Sequence, residues 1–260
     1  MKDRTLPHRK LISRILMVLA LLLAGPLAAV AGGAVNLDAD WRTASRDSTG
    51  LAPDPATTPE AIVQVYAARA FGWRGLFGVH SWIAAKREHA PAYTVYQVIG
   101  WRALHGGSAL TVGTGVPDRK WFGNAPEILA DFRDGRDGVD VTAMIDAMDA
   151  AVAAYPYAGE YRLWPGPNSN TFTAFVGRRV PQMQLNLPVT AIGKDYLANG
   201  SLLASAPSGT GVQLSLLGMV GITLAQREGV EINLLGLGFG VDFLRPALKL
   251  PGIGRIGMDR

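Results

Sequence analysis

The last third of the chain most limits the folds open to this sequence. Residues 196–226 contain no charged side chain, and glycine recurs at positions 236, 238 and 240. Because each glycine weakens a helix interior, this frequency argues against helices. The apolar runs 212–218, 221–226 and 230–239 are therefore predicted to be strands. A second membrane span over 211–225 is the rival interpretation, but Gln213, Ser215 and the glycines make it short and weak.

The middle of the chain predicts a mixed α and β core. Residues 61–86 are predicted to form a β-hairpin around a turn at 72–75, although Thr58-Pro59-Glu60 could instead cap a helix. The runs 92–101 and 109–115 extend the hairpin to an antiparallel meander of four strands. Helices are predicted over 124–133, from Asp140 onward, and from near Ser169. The fold class is α+β, with a core over 60–185 and a β-rich extension over 186–260.

The N-terminus predicts contact with a membrane. Residues 1–14 hold five basic residues and one acidic residue, and an almost entirely apolar run follows over 15–35. This pattern favours an uncleaved anchor, with cleavage after Ala29-Val30-Ala31 as the alternative. Either case places the positive charges in the cytoplasm and the domain in the periplasm, beyond a Pro- and Ser-containing linker at 36–59. The predicted location is the inner membrane, or the periplasm if the leader is removed.

Composition excludes several classes of function. A chain without cysteine is no disulfide scaffold, Cys-ligated zinc module, iron–sulfur protein or cysteine-nucleophile enzyme. Beyond residue 14 the chain holds 20 basic and 20 acidic residues, so no nucleic-acid partner is predicted. The histidines lack metal-ligand spacing, and the carboxylates at 131, 134, 137 and 140 lack the ligand order of a calcium loop. Neither a metal nor a cofactor is predicted.

Two residues suggest catalysis. Ser169 is predicted to begin a helix, where free backbone N–H groups could stabilise an oxyanion, and His80 on a strand could take the hydroxyl proton. Asn168 and Asn170 flank the serine and could supply capping bonds or an oxyanion donor. The alternative is that Ser169 only caps the helix and His80 is a hydrogen-bonded structural residue.

Most of the chain beyond the leader resembles an uncharacterised family of bacterial envelope proteins. The segments that carry this resemblance are Trp41-Arg-Thr-Ala-Ser, Leu51-Ala-Pro-Asp-Pro, Val63-Gln-Val-Tyr-Ala-Ala-Arg, His80-Ser-Trp-Ile-Ala-Ala-Lys, Trp164-Pro-Gly-Pro-Asn-Ser-Asn-Thr-Phe and Pro246-Ala-Leu-Lys-Leu-Pro-Gly. More distantly, a histidine in an early strand followed by Asn-nucleophile-x-x-Phe at a helix start resembles the circularly permuted papain-like superfamily, which includes lecithin:retinol acyltransferase-like members.

The papain-like resemblance implies a fold and a site. The fold would be a permuted papain-like antiparallel sheet with packed helices, to which the glycine-rich extension is added. Ser169 would stand where the superfamily has its catalytic cysteine, His80 would be the base, and Tyr93 or Gln97 would orient the histidine. Serine is a weaker nucleophile than a thiolate, because a helix end and an imidazole cannot bring a hydroxyl pKa near neutrality.

Three functions from different classes follow. The first is a serine hydrolase or acyltransferase that acts on an amide or ester in peptidoglycan, a lipid or a lipoprotein. The second is a non-catalytic module in which aromatic side chains, with Trp82 and Trp164 among them, bind a glycan or an acyl chain. The third is a structural envelope protein whose C-terminal sheet contacts a partner or the membrane surface.

Overall fold

The computed structural model describes residues 6–33, 35, 37, 40–136 and 138–259. It has two antiparallel sheets and four α-helices in this part of the chain, which confirms the α+β class. The elements are α1 Leu6–Ala31, β1 Ile62–Arg69, β2 Val79–Lys86, β3 Thr94–Val98, α2 Gly100–Leu104, β4 Leu110–Thr114, β5 Glu127–Arg133, α3 Val141–Ala153, α4 Ser169–Arg179, β6 Leu203–Ser205, β7 Gly211–Leu216, β8 Val220–Ala225, β9 Gly229–Leu234, β10 Leu237–Asp242, β11 Ala247–Leu250 and β12 Gly254–Gly257.

The first sheet has the strand order β4-β3-β2-β1-β5. Its first four strands are the predicted meander, since each strand pairs antiparallel with the one before it. Side chains alternate between the two faces of a strand, so Val65 and Ile83 lie in the core that α3 and α4 cover. Tyr66 and Trp82 lie on the other face, which the segments around Ala52 and Trp121 cover.

The prediction of a helix over 124–133 is wrong. Residues 127–133 form β5, which pairs antiparallel with β1 from Ile62↔Arg133 to Ala67↔Glu127. Ile128, Ala130 and Phe132 alternate with Glu127, Asp131 and Arg133, so the period of two that marks a strand is present in the sequence except at Leu129. The free edge of β1 then supplies hydrogen bonds that outweigh a weak local helix preference.

Both later helices are confirmed. The Asp140 side chain accepts a hydrogen bond of 2.8 Å from the Ala143 N–H and so caps α3. Met144, Ile145 and Met148 line the buried side of α3 at helical spacing. Helix α4 begins at Ser169 and is buried over 169–177, so it is a core helix between α3 and the first sheet.

The second sheet is a meander in chain order from β6 to β12. The three runs predicted to be strands fall on β7, β8, and β9 with β10, which confirms them. Residues 211–225, for which a membrane-spanning helix was the rival interpretation, are two paired strands. The segment 180–196 lies between the two sheets, with Leu185, Leu187 and Val189 buried.

Helix α1 contacts the rest of the protein through its C-terminal part. Gly25, Pro26 and Ala29 are buried where the helix meets the turn at 251–253 and the 3-10 helix Gly72–Leu76. Within the described ranges, no helix combines the length and the apolarity that crossing a bilayer requires. The transmembrane anchor predicted over 15–35 therefore has no support there.

Candidate functional site

The first residue of α4 is Ser169, but its cap is Asn168. The Asn168 Oδ1 accepts hydrogen bonds from the N–H groups of Asn170 (2.9 Å) and Thr171 (3.2 Å), and Thr171 Oγ1 accepts one from the Asn168 N–H (3.1 Å). This reciprocal arrangement is a capping box. The Asn168 Nδ2 also donates to the carbonyls of Leu163 and Ile192. Every polar atom of the Asn168 side chain is thus engaged in structure.

Asn170 joins α4 to the start of β2. Its Nδ2 donates to the carbonyl oxygens of Val79 (2.9 Å) and Ile192 (2.8 Å), while its Oδ1 accepts from Ser81 Oγ at 2.8 Å. Ser81 Oγ also lies 2.9 Å from Thr173 Oγ1. The side chain of Ser81 therefore points from β2 toward α4.

His80 points the other way, because consecutive side chains of a strand lie on opposite faces. Its ring stacks on Trp121, with 3.5 Å between ring centroids, in the layer that covers the far face of the first sheet. The sheet therefore lies between the His80 ring and the start of α4. No hydrogen bond joins Ser169 Oγ to His80 or to another of the described residues. The structure does not bring the two predicted catalytic side chains together.

The surroundings of His80 keep its ring neutral. Burial lowers the pKa of His80 to about 3, the positive charge of Arg119 lowers it as well, and the hydrogen bond with the Gln97 side chain opposes both effects. The Nε2 atom is buried and has no hydrogen-bond partner among the described residues. A base with so low a pKa would take up a proton from a serine hydroxyl very weakly.

Of the two residues predicted to orient His80, Gln97 contacts it. Its Oε1 also accepts a hydrogen bond of 3.1 Å from Arg119. Tyr93 instead donates its hydroxyl proton to the carbonyl of Pro53 at 3.0 Å, and burial raises its pKa to about 12. Tyr93 therefore fastens the segment before β1 onto the sheet.

The two tryptophans predicted to bind a ligand have structural contacts. Trp82 is buried, stacks on Tyr66 with 5.5 Å between ring centroids, and donates from Nε1 to the Pro117 carbonyl at 2.7 Å. Trp164 is half-exposed and donates from Nε1 to the Leu235 carbonyl at 2.9 Å. Trp164 thus lies at one end of the second sheet, far along the chain from the elements that hold Trp82.

The second sheet carries a feature that the sequence interpretation missed. In β7 to β10, all twelve side chains that point away from the protein are apolar, and together they are called the outer face. Nine of the twelve are exposed and three are partly exposed. They are Val212, Leu214, Leu216, Val220, Ile222, Leu224, Val230, Ile232, Leu234, Leu237, Phe239 and Val241.

The register places these side chains in three continuous rows. One row runs Leu214, Ile222, Ile232 and Phe239 in directly paired positions. The second row continues past Val241 to Leu248 and Ile256 on β11 and β12. Strands about 4.8 Å apart and about 3.3 Å per residue give β7 to β10, with six residues each, a face of roughly 400 Å² in projection. An apolar patch of this size is within the range of about 300–600 Å² for the largest patch on a soluble monomer, and such patches are often functional.

The inner face of the same sheet is polar and buried. Glu231 lies between the ammonium groups of Lys194 and Lys249, and the Lys249 Nζ is 2.6 Å from its carboxylate. Burial alone would raise the pKa of Glu231, but the two cations more than offset this effect and lower it. Burial raises the pKa of Asp195, which accepts a hydrogen bond from Gln213. The usual arrangement, with apolar side chains inside and polar ones outside, is reversed in this sheet.

Two turns at one end of the sheet hold leucine in an unusual conformation. Leu217 and Leu235 have φ of 52° and 54°, and each precedes a glycine with positive φ. Asn, Asp or Gly normally occupies the first position of such a turn, and another L-residue costs about 1 kcal/mol there. Both leucines are about half-exposed, so packing within the chain covers only part of each side chain.

A signal for the outer face is present in the sequence. In 211–216 and 229–234, apolar residues alternate strictly with polar residues or glycine. The frequency of glycine predicts strands but carries no information on their faces. The period of two shows that each of these strands has one wholly apolar side. Which side faces solvent is not visible from alternation alone. Among the described residues, no cluster of His, Asp and Glu could hold a metal ion.

Comparison with known proteins adds a family without a function. A family model described as "Protein of unknown function (DUF3750)" matches residues 60–196, which is more than half of the chain. No curated protein and no solved structure matches the sequence. A relationship to papain-like enzymes is not shown. The matched region holds the first sheet, α3 and α4, whereas the second sheet lies beyond it. The chain belongs to the DUF3750 family.

Proposed function

We propose that this protein is a non-catalytic component of the bacterial envelope that docks on a lipid bilayer through the outer face of its second sheet. One observation supports this proposal above the others: twelve consecutive outward positions of four strands are apolar, while the buried positions between them are polar or small. The proposed location is the inner membrane, with the domain on its periplasmic side.

The chemistry of the outer face fits lipid better than a protein partner. Even the apolar core of a protein interface is only about 65% non-polar, and an interface has about one hydrogen bond per 100–200 Å². The twelve side chains of the outer face contain no hydrogen-bond donor or acceptor, and the strand backbones are paired with each other. Hydrocarbon requires no polar partner, so such a face loses nothing on contact with it.

Burial of the outer face in lipid supplies enough free energy for docking. A fully buried Val, Leu, Ile or Phe side chain contributes about 1.5–3 kcal/mol. Nine of the outer-face side chains are 37–54% exposed, so docking would add roughly 1 kcal/mol for each of these nine. Nine such contributions exceed the lower estimates, about 4 kcal/mol, for the lost freedom of a docked protein.

Helix α1 provides a second apolar surface beside the sheet. Its buried Gly25 and Pro26 lie against the turn that joins β11 and β12, while Leu16, Met17 and Leu27 are exposed. Basic residues at its start, with Lys10 and Arg14 among them, suit the anionic headgroups of a bacterial membrane. The N-terminal membrane contact inferred from the sequence is thus part of the same proposal.

The serine-enzyme hypothesis has less geometric support. A papain-like mechanism needs the base and the nucleophile on the same side of the sheet within hydrogen-bond reach. Here His80 faces Trp121, Ser81 faces α4, and the His80 Nε2 atom is buried without a hydrogen-bond partner among the described residues. We therefore assign no catalytic step to Ser169.

Co-sedimentation with vesicles of phosphatidylethanolamine and phosphatidylglycerol tests the proposal. The double variant Leu214→Asp, Ile232→Asp places two charges in the outer face, and we expect its binding to fall at least tenfold. Val112→Asp is the matched control, because Val112 lies on β4 of the first sheet and is 52% exposed, as are Leu214 and Ile232. We expect the control to bind like the wild type.

Two outcomes would overturn the proposal. One is that the double variant binds as tightly as the wild type while both remain folded. The other is that the wild type ignores vesicles but sediments as a dimer that the double variant dissociates, since the occupant of the outer face would then be a second copy packed sheet to sheet.

A further inference from the structure

The two ends of the second sheet differ in charge. At one end, called the leucine end, the turns 217–219 and 235–236 contain no charged residue, and they touch through the hydrogen bond from the Leu235 N–H to the Met219 carbonyl. At the other end, called the arginine end, the turns 226–228 and 243–246 carry Arg227 and Arg245, and also Glu228, whose buried carboxylate accepts hydrogen bonds from the N–H and Oγ of Ser208. The sheet is therefore polarised along its strands.

The leucine end of the second sheet carries exposed apolar side chains. Leu217 is 46% exposed and Leu235 is 57% exposed, and Trp164 is anchored beside them by its bond to the Leu235 carbonyl. Both leucines are held in the left-handed region of φ, where their side chains project from the turns at a conformational cost. Because about half of each side chain stays exposed, packing within the chain covers these leucines only in part, and a surface outside the chain could contact the rest.

The arginine end has the composition of a membrane interface. Arg245 is exposed and its guanidinium has no acidic partner among the described residues, while the partly buried Arg227 donates from its guanidinium to the neutral Gln184 side chain. Phe243 and Leu244 beside Arg245 are also exposed. Aromatic residues and arginine together are typical of the headgroup level of a bilayer, where the ring is in contact with acyl chains and the cation with phosphate.

We propose that the sheet enters the bilayer tilted, with the leucine end in the hydrocarbon and the arginine end at the phosphates of anionic lipids. This inference rests on the proposed function and adds the orientation and the lipid class. The contact of α1 with the turn at 251–253 agrees with it, because that turn is on the same side of the sheet as the leucine end. The apolar helix and the apolar turns would then enter the same layer.

The absence of cysteine from the chain makes the orientation measurable. Single cysteines at Leu217→Cys, Ile232→Cys, Gln226→Cys and Val112→Cys each carry a fluorescent label, and the full-length protein is bound to vesicles that hold a quencher at a set depth. We expect mid-chain quenchers to quench position 217 most, position 232 less and position 226 least. A headgroup quencher should act most strongly at position 226. Position 112 should respond to neither quencher.

A second measurement tests the lipid class. The double variant Arg227→Gln, Arg245→Gln should bind anionic vesicles roughly tenfold to thirtyfold more weakly than the wild type, since each basic residue near an anionic surface contributes about a factor of five. Its binding to neutral phosphatidylcholine vesicles should not change. Equal loss on both kinds of vesicle would show that these arginines do not contact anionic headgroups.

The possible failures are distinguishable. If no label responds to either quencher, the protein does not dock on lipid and the proposed function fails with the orientation. If positions 217, 232 and 226 are quenched to the same degree, or 226 is the deepest, the protein docks but the tilt is wrong. The Val112 label excludes general adsorption in either case, because it should remain unquenched.

Discussion

Two neighbouring residues of β9 provide a sharp test of the reversed sheet. Glu231 points inward and Ile232 points outward, so the usual expectation for a charged and an aliphatic side chain is inverted. We compare Glu231→Gln with Ile232→Thr, because the first keeps the shape of the side chain and the second keeps the β-branch that strands favour. Glu231→Gln removes a negative charge, and Ile232→Thr removes apolar surface at the neighbouring position.

The structure sets the expected magnitudes. Glu231 is the shared partner of the buried ammonium groups of Lys194 and Lys249, so its neutralisation leaves two buried cations with one less anion. Breaking a buried ion pair from one side costs about 3–5 kcal/mol. Ile232 is half-exposed in the free protein, so the cost of Ile232→Thr should stay below about 1 kcal/mol.

Urea unfolding followed by circular dichroism at low micromolar concentration measures both effects. We expect the midpoint to fall markedly for Glu231→Gln and little for Ile232→Thr. If Glu231→Gln leaves too little folded protein, Lys249→Met with Glu231→Met restores charge balance in part and should recover stability relative to Glu231→Gln. A larger loss for Ile232→Thr than for Glu231→Gln would refute the reversed orientation of the sheet.

Four further expectations follow from the structure. The double variant Leu217→Asn, Leu235→Asn should leave the free energy of unfolding unchanged or raise it by up to about 1 kcal/mol per turn, and it should weaken vesicle binding. If the free energy of unfolding falls together with vesicle binding, the leucines pack within the fold. Asn168→Ala should lower the free energy of unfolding by about 1–2 kcal/mol, whereas Ser169→Ala should change it by less than about 0.5 kcal/mol. If thermal melts show a larger loss of stability for Ser169→Ala than for Asn168→Ala, Asn168 is not the cap. The folded-state pKa of His80 is about 3, below its ordinary value near 6.5, so the unfolded chain binds this proton at a higher pH than the folded protein. The free energy of unfolding should therefore fall by about 1.4 kcal/mol per pH unit as the pH drops from about 6 toward 4.5. His80→Gln should remove that slope, and an unchanged slope would show that another group causes it. Asp118 accepts hydrogen bonds from Ser48 Oγ and from the Leu51 and Ala52 N–H groups, so Asp118→Asn should speed amide hydrogen exchange at 51 and 52 and leave exchange in α3 unaffected.

Helix caps, helical spacing and glycine content, which depend only on neighbouring residues, were sufficient to predict several elements. The Asp140 cap and the spacing of Met144 and Met148 identify α3, and the glycines of the last third identify strands. Residues 124–133 were assigned wrongly because Glu127 and the residues after it read equally well as a short helix, until β1 offers a free edge to pair with. The strand period was present there, but pairing between distant segments decided the outcome.

The candidate site was harder to predict, because it depends on which way side chains face. The order of His80 and Ser169 along the chain fits a papain-like arrangement, but a shift of one residue in a strand moves a side chain to the other face of the sheet. Here Ser81, not His80, faces α4. Asn168 caps α4, whereas the Asn170 side chain bonds to the carbonyls of Val79 and Ile192 and to Ser81.

The proposed docking would account for two unusual features of the second sheet together. Replacing a buried ion pair with apolar residues is often neutral or stabilising, so a soluble protein gains little from burying Glu231 between two lysines. The same protein leaves twelve aliphatic or aromatic side chains exposed or partly exposed that could have filled that space, and exposure of this kind promotes aggregation. Both choices become favourable when the outer face contacts hydrocarbon, because the strand backbones are already paired, the buried charges are compensated, and every apolar side chain then has an apolar environment. Under the proposed function, the sheet is the outermost layer of a protein that lies against lipid.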